Sequence, residues 1–168
     1  MAMSVAPKYA IIGAGVAGSF AAWKLASAGA AVTVFEMGRG AGGRCSSRRT
    51  REIPGLYVDH GCPAFTADGT SPVWLEIVKD LVASGSLEPW NCSTGFLEGS
   101  KAKAAPCPQL YRGPNGMDNF CTRLLQGCET RFSTVVSGLE RQNGQWILQG
   151  KDGELMKESV VTVVEISM

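Results

Sequence analysis

Between Lys8 and Arg44 the chain runs through a short apolar stretch, Gly13-Ala14-Gly15-Val16-Ala17-Gly18, an alanine-rich segment, and a second apolar stretch ending at Glu36. That order constrains the fold more than any other feature. Tyr9-Ala10-Ile11-Ile12 reads as a buried strand, and Ala17 to Ala28 carries small and apolar residues at helical spacing. Gly29 stands where a helix takes a left-handed stop, and Ala31-Val32-Thr33-Val34-Phe35 supplies the next strand. A strand, a glycine turn, a helix and a second strand make a βαβ unit, which places the two strands parallel.

Each glycine has its own steric task. Gly13 permits the tight turn leaving the first strand, Gly15 lets backbone approach a pyrophosphate, and Gly18 lets the helix pack closely on the sheet. The helix then aims its first N–H groups and the positive end of its dipole at the phosphates. Glu36, 23 residues beyond Gly13, ends the second strand where a carboxylate can accept hydrogen bonds from an adenosine ribose. An acid there repels a 2′-phosphate, which disfavours NADP. FAD and NAD present the same adenosine diphosphate to such a unit. The segment Gly38-Arg39-Gly40-Ala41-Gly42-Gly43-Arg44 reads as a flexible, cationic loop just past the ribose position, able to wrap a long dinucleotide.

These residues resemble a family. The glycine motif, Glu36, Gly42-Gly43-Arg44, Tyr57-Val58-Asp59-His60-Gly61 and Pro63-Ala64-Phe65-Thr66-Ala67 are similar to FAD-dependent amine oxidoreductases, and most of all to their renalase-like branch. Tyr111 to Met117 resembles the segment that returns to the flavin domain. Thr134-Val135-Val136, Leu139 and Trp146 resemble the hairpin that follows. The likeness covers residues 8 to 154 and is most specific over the first 60 or so. It implies an α/β fold: a Rossmann-like FAD/NAD(P)-binding domain with a central parallel sheet, an added β-hairpin or meander, and a truncated remnant of a substrate domain.

The resemblance also assigns cofactor-binding positions. Gly13, Gly15 and Gly18, with Val16 and Ala17 between them, fall to the pyrophosphate. Glu36 falls to the ribose, with Met37 beside it. Arg39, Gly43 and Arg44 lie along the phosphates and toward the flavin; Val136 offers its backbone to the adenine; His60 and Gly61 stand near the isoalloxazine ring. No catalytic residue is assigned: for His60, the only histidine, no acid–base partner can be named.

Members of the family are longer, with an interleaved substrate domain and a closing flavin motif that nothing here resembles. The chain of 168 residues therefore reads as a single truncated dinucleotide-binding domain. The expectation is the flavin-binding part of an oxidoreductase acting on a reduced nicotinamide or an amine. The alternative is a non-catalytic pseudoenzyme, with FAD retained or lost, docked as an accessory subunit on a protein partner or larger complex that covers the missing half.

Further along, Thr70 or Ser71 is placed to cap a helix beginning at Pro72, with Trp74, Leu75, Ile77, Val78, Leu81 and Val82 on its apolar face. Residues 85 to 110 read as loop, with at most a short strand from Thr94 to Leu97, and as the place to find disorder or a partner contact. Asn115 is placed to cap a helix from Gly116 to Gln126 that stops at Gly127. Glu129 to Arg141 and Gln145 to Gln149 read as strands about a tight Asn143-Gly144 turn. After a turn at Lys151-Asp152-Gly153-Glu154, Val160 to Ile166 reads as a terminal strand able to complete the sheet.

Composition bounds the partners. A net charge of +1 gives no electrostatic case for nucleic acid, and the five arginines between residues 39 and 51 have no interleaved aromatics. No apolar run reaches the roughly 20 residues that span a bilayer. Six cysteines without a CxxC pair, and one histidine, make no metal-ligand pattern. They read as free thiols of a soluble protein in a reducing compartment, cytoplasm or organelle being left open.

Overall fold

The computed structural model describes residues 6–67, 71–151, 155–160 and 162–165, the last two segments by their backbone. In chain order the elements are β1 (Lys8–Ile12), α1 (Val16–Ser27), β2 (Ala31–Phe35), a 3₁₀ turn (Gly43–Cys45), β3 (Ser47–Arg49), β4 (Tyr57–Asp59), β5 (Phe65–Thr66) and α2 (Pro72–Ala83). They continue with β6 (Glu88–Trp90), β7 (Gly95–Glu98), β8 (Lys101–Ala104), β9 (Leu110–Arg112), α3 (Met117–Leu124) and β10 (Glu129–Arg131). Last come β11 (Val136–Gln142), β12 (Gln145–Gly150), β13 (Leu155–Val160) and β14 (Thr162–Glu165). The chain divides into two compact units, residues 1–45 with 121–168, and residues 46–120.

The first unit is an α/β domain of Rossmann-like fold. Its four-stranded sheet runs β10-β2-β1-β14, every neighbouring pair parallel. The apolar runs of β1 and β2 are nearly continuous because both faces of the sheet are covered. Successive side chains point to opposite faces, so Ala10 and Ile11 serve different layers. Ala10 joins Phe35 and Leu148 in a fully buried cluster, flanked by Val136, Leu139 and Trp146 of the antiparallel β11-β12-β13 sheet. Ile11 lies against α1, whose buried residues Gly18, Ser19 and Ala22 are all small. Small residues let the helix axis approach the strands.

Local punctuation agrees with the sequence. Gly29 takes φ +85°, its N–H donates to the Ala26 carbonyl, and the Ala30 N–H donates to Leu25, a Schellman closure of α1. Asn143 and Gly144 both have positive φ, the type I′ signature that joins β11 to β12. The terminal strand pairs with β1, Tyr9 opposite Thr162 through Ile12 opposite Glu165. Asp152, Gly153, Glu154, Val161 and Ile166 lie outside the described residues, as does Thr70.

The second unit departs further from expectation. Residues 85–110, read as loop, hold β6, β7 and β8. β6 and β5 pair with β9 from either side, Glu88 opposite Arg112 and Phe65 opposite Tyr111, and Arg112 closes an ion pair on Glu88 at 2.7 Å. These strands are two or three residues long and exist through pairing with a distant partner, which no local pattern shows. Pro89 is tolerated because β6 is an edge strand. β7 and β8 form an antiparallel hairpin, exposed along its length. Phe65 gathers Trp74, Tyr111 and Phe120, with ring centroids 5.9–6.2 Å away.

The ends of the helices divide likewise. Ser71 caps α2 as read, its Oγ accepting from the Trp74 N–H at 3.3 Å. α3 is shorter than the expected span and is not capped by Asn115, which takes φ +60° and offers its carbonyl to Arg49. Its first N–H groups go instead to Asp59 Oδ1 (from Met117, 2.9 Å) and Ser47 Oγ (from Asp118, 3.2 Å). Arg49 grips Asp118 through both guanidinium nitrogens at 2.6 and 3.0 Å, which raises its pKa from an already high value. Side chains 58 to 71 residues away therefore do the capping, beyond the reach of sequence proximity.

Candidate functional site

The carboxyl ends of β1 and β2 converge on the glycine loop. Gly13 adopts φ +102° and its N–H donates to the Phe35 carbonyl at 2.8 Å, turning the chain across the end of β2. Gly15 is the N-cap of α1; no side chain caps it and no acid lies in the first turn. The N–H groups of Val16, Ala17 and Gly18 precede the first intrahelical bond, from Ser19 N–H to Gly15 carbonyl. Val16 and Ala17 are exposed and Gly18 is buried. This helix start leaves donors and the positive dipole end for an anion.

The three glycines are demanded by different things. A Cβ on Gly18 would lie 1.9 Å from the Gly13 carbonyl oxygen, so any other residue forces the helix and that peptide apart. Gly15 has ordinary extended backbone (φ −71°, ψ −177°), and a Cβ there would meet nothing nearer than Gly43 Cα at 4.0 Å. Neither backbone angle nor internal packing calls for glycine at Gly15. What it keeps clear is the open side of the loop.

Glu36 sits just past β2, half-buried, and its two oxygens accept from two loops: Oε2 from the Ala14 N–H at 2.8 Å, Oε1 from the Gly38 N–H at 2.6 Å. Its main chain is tied down too, its N–H to the Arg131 carbonyl and its carbonyl to the Thr134 N–H, while Ser133 N–H reaches the Gly38 carbonyl. Met37 is exposed. A carboxylate has about four acceptor positions, so two remain for further donors.

The loop that follows is not the flexible wrap that its glycines and arginines suggested. Gly42 N–H donates to the Ala14 carbonyl at 2.9 Å, Gly42 bridges Gly15 in the manner of a parallel strand, and Cys45 N–H closes the 3₁₀ turn on Gly42. Gly42 and Gly43 take φ +126° and +54°, and a Cβ on Gly43 would stand 3.3 Å from Gly15 Cα. Paired glycines here serve a close approach of two backbones. Arg39 and Arg44 are exposed.

Val136 opens β11, opposite Gly150, half-buried against the Ala10–Phe35–Leu148 cluster. His60 and Gly61 belong to the second unit, just past β4; both are exposed, and His60 Nε2 lies 3.5 Å from Ser46 Oγ. The sequence reading missed Ala14, Gly38, Arg131 and Thr134, whose backbone groups hold Glu36. Backbone groups carry no residue signature, so no signal in the sequence could have found them. Among the described residues no cluster of three or more His, Cys, Asp or Glu could hold a metal, and no helix is long and apolar enough to cross a membrane.

Residues 11–81 match the family model of the NAD(P)-binding Rossmann-like domain. Two crystal structures share the fold at low identity. One is a candidate protoporphyrinogen oxidase from Exiguobacterium sp. 255-15, with a TM-score of 0.66 and 12% identity over 96% of this chain and 59% of that one. The other is the tetracycline destructase Tet(51), with a TM-score of 0.64 and 15% identity over 96% of this chain and 38% of that one. This chain therefore spans less than two thirds of the length of either.

Proposed function

We propose that the first unit holds FAD, and that the protein is an oxidoreductase-like flavoprotein. The observation that carries the reading is Gly15: the chain itself makes no use of the missing Cβ there, so its absence serves something that approaches from outside. A pyrophosphate at the start of α1 fits, since it would lie against the N–H groups of Val16, Ala17 and Gly18, with Arg39 and Arg44 supplying positive charge. Glu36 accepts the ribose hydroxyls with its remaining lone pairs and repels a 2′-phosphate. Val136 offers its backbone to the adenine in this reading, as the resemblance implies, and the Ser133–Thr134 backbone bonds Gly38 and Glu36.

FAD, when bound, supplies the hydride or electron chemistry. The residues above bind and orient it. For substrate, the resemblance of Gly42-Gly43-Arg44 and Tyr57 to Gly61 to the renalase-like amine oxidoreductases supports a reduced nicotinamide or an amine. The family match and the two structural neighbours support the coarser reading, a dinucleotide-binding fold of the Rossmann-like kind.

The test is direct. Native, unheated protein should carry the visible flavin absorption band, or acquire it on incubation with FAD. Gly15→Ala should fold as stably as the wild type yet lose flavin at least tenfold in affinity, since a methyl group fills the pyrophosphate's approach. A colourless wild type that takes up no FAD, or a Gly15→Ala protein that binds it equally well, sinks the assignment. Bleaching of the bound flavin by dihydronicotinamide or by an amine then names the substrate class. A flavin reduced by neither leaves a holding module, the non-catalytic alternative.

A further inference from the structure

Ala14 and Gly38 lie in different loops, 24 residues apart, yet the Glu36 carboxylate joins them, accepting from Ala14 N–H at 2.8 Å and Gly38 N–H at 2.6 Å. The Ala14 carbonyl is engaged as well, by Gly42 N–H at 2.9 Å and by the buried Ser19 Oγ at 3.2 Å. Both polar groups of this residue are therefore consumed inside the protein. Its N–H cannot serve a phosphate. The donors that can are those of Val16, Ala17 and Gly18, whose aim depends on where the Ala14–Gly15 backbone is held.

We infer that Glu36 is a positioning residue for the diphosphate, fixing the phosphate-facing turn of α1 by stapling the glycine loop to the Gly38–Gly43 loop, in addition to accepting a ribose. This rests on the dinucleotide reading above. Charge-assisted hydrogen bonds to backbone N–H groups are among the stronger ones, and two on one carboxylate hold both loops in one geometry. Lone pairs remain for ribose, so the two roles do not compete.

The two effects of Glu36 on an anion have opposite signs, which makes the inference testable. As a bare negative charge near the phosphate position, Glu36 opposes anion binding. As a staple it favours it. Inorganic pyrophosphate, which has no ribose, separates the two. Titration calorimetry of the full chain should show Glu36→Gln binding pyrophosphate about tenfold more weakly than wild type, although a negative charge has been removed. ADP-ribose should weaken further. Equal or tighter pyrophosphate binding by folded Glu36→Gln overturns the inference.

Gly38→Ala is the second variant. Gly38 needs no left-handed backbone angle, and its new Cβ would stand 3.0 Å from Glu36 Oε1, so the carboxylate must give way while charge and ribose acceptor remain. It should weaken pyrophosphate a few-fold; undiminished binding counts against the staple. Amide hydrogen exchange needs no ligand: Ala14 and Gly38 N–H should exchange on the order of tenfold faster in Glu36→Gln, and unchanged protection overturns the staple. A wild type that binds neither pyrophosphate nor ADP-ribose refutes the dinucleotide reading and the diphosphate role with it. Amide exchange then still decides whether the loops are stapled.

Discussion

Replacing Gly18 by alanine puts one methyl group where the structure has a carbonyl oxygen. The ideal Cβ lies 1.9 Å from Gly13 O and 3.1 Å from Gly13 C, and the first clash is with backbone, so no side-chain rotation relieves it. Real Cβ atoms essentially never come within 3.0 Å of another heavy atom, so α1 and the Gly13 peptide must separate by at least the difference, 1.1 Å. Overpacking of this kind costs about 1–3 kcal/mol, and a backbone obstruction belongs at the upper end. Alanine's better helix propensity returns about 1 kcal/mol. The net expectation is a loss of about 1–2 kcal/mol, which for a chain of this size lowers Tm by roughly 5 °C. Dinucleotide affinity should suffer more than stability, because the displaced peptide carries the loop on which the pyrophosphate would sit. Thermal melts followed by circular dichroism, with FAD titration, measure both. Gly40→Ala is the control: its Cβ meets nothing within 4 Å, and the melt should move by less than about 0.5 kcal/mol. A Gly18→Ala protein as stable as Gly40→Ala and binding FAD like the wild type would refute the close helix–strand approach.

Other outcomes follow from the packing. Leu148→Ala opens a cavity in the fully buried cluster with Ala10 and Phe35 and should cost roughly 2–5 kcal/mol in a denaturant melt. Asp59→Ala removes the acceptor for the Met117 N–H and the Ser47 hydroxyl and should cost about 1 kcal/mol, while Asp59→Asn, which keeps the acceptor, should melt close to the wild type. Burial pushes the Cys128 thiol pKa up, so timed alkylation read by mass spectrometry should modify Cys128 after the exposed Cys92 and Cys107. The linkage has a definite sign: with the folded pKa above the unfolded one, stability is intact below the ordinary thiol value of about 8.5 and falls as pH rises beyond it. Cys128→Ser should flatten that alkaline loss.

Legibility was highest where one residue type answers one local demand. The βαβ order, the helix stop at Gly29, the Ser71 cap and the Asn143–Gly144 turn were readable because φ, capping or burial constrains each position by itself. It was lowest where short strands or caps depend on a distant partner, as in β5–β9–β6 and at the start of α3. The reading of Gly42 and Gly43 failed differently. The sequence marks glycine as permissive, and only the second backbone at Gly15 shows that here the permission is used for contact instead of motion.

The sequence by itself determined the parallel strand pair, the glycine turn between them and an acid at the end of β2, because periodicity and the steric freedom of glycine are properties of the chain. Tertiary structure alone decided what that acid does. Its two oxygens reach Ala14 and Gly38 N–H groups, donors that every residue but proline possesses and that no sequence distinguishes until folding brings one of them within 3 Å.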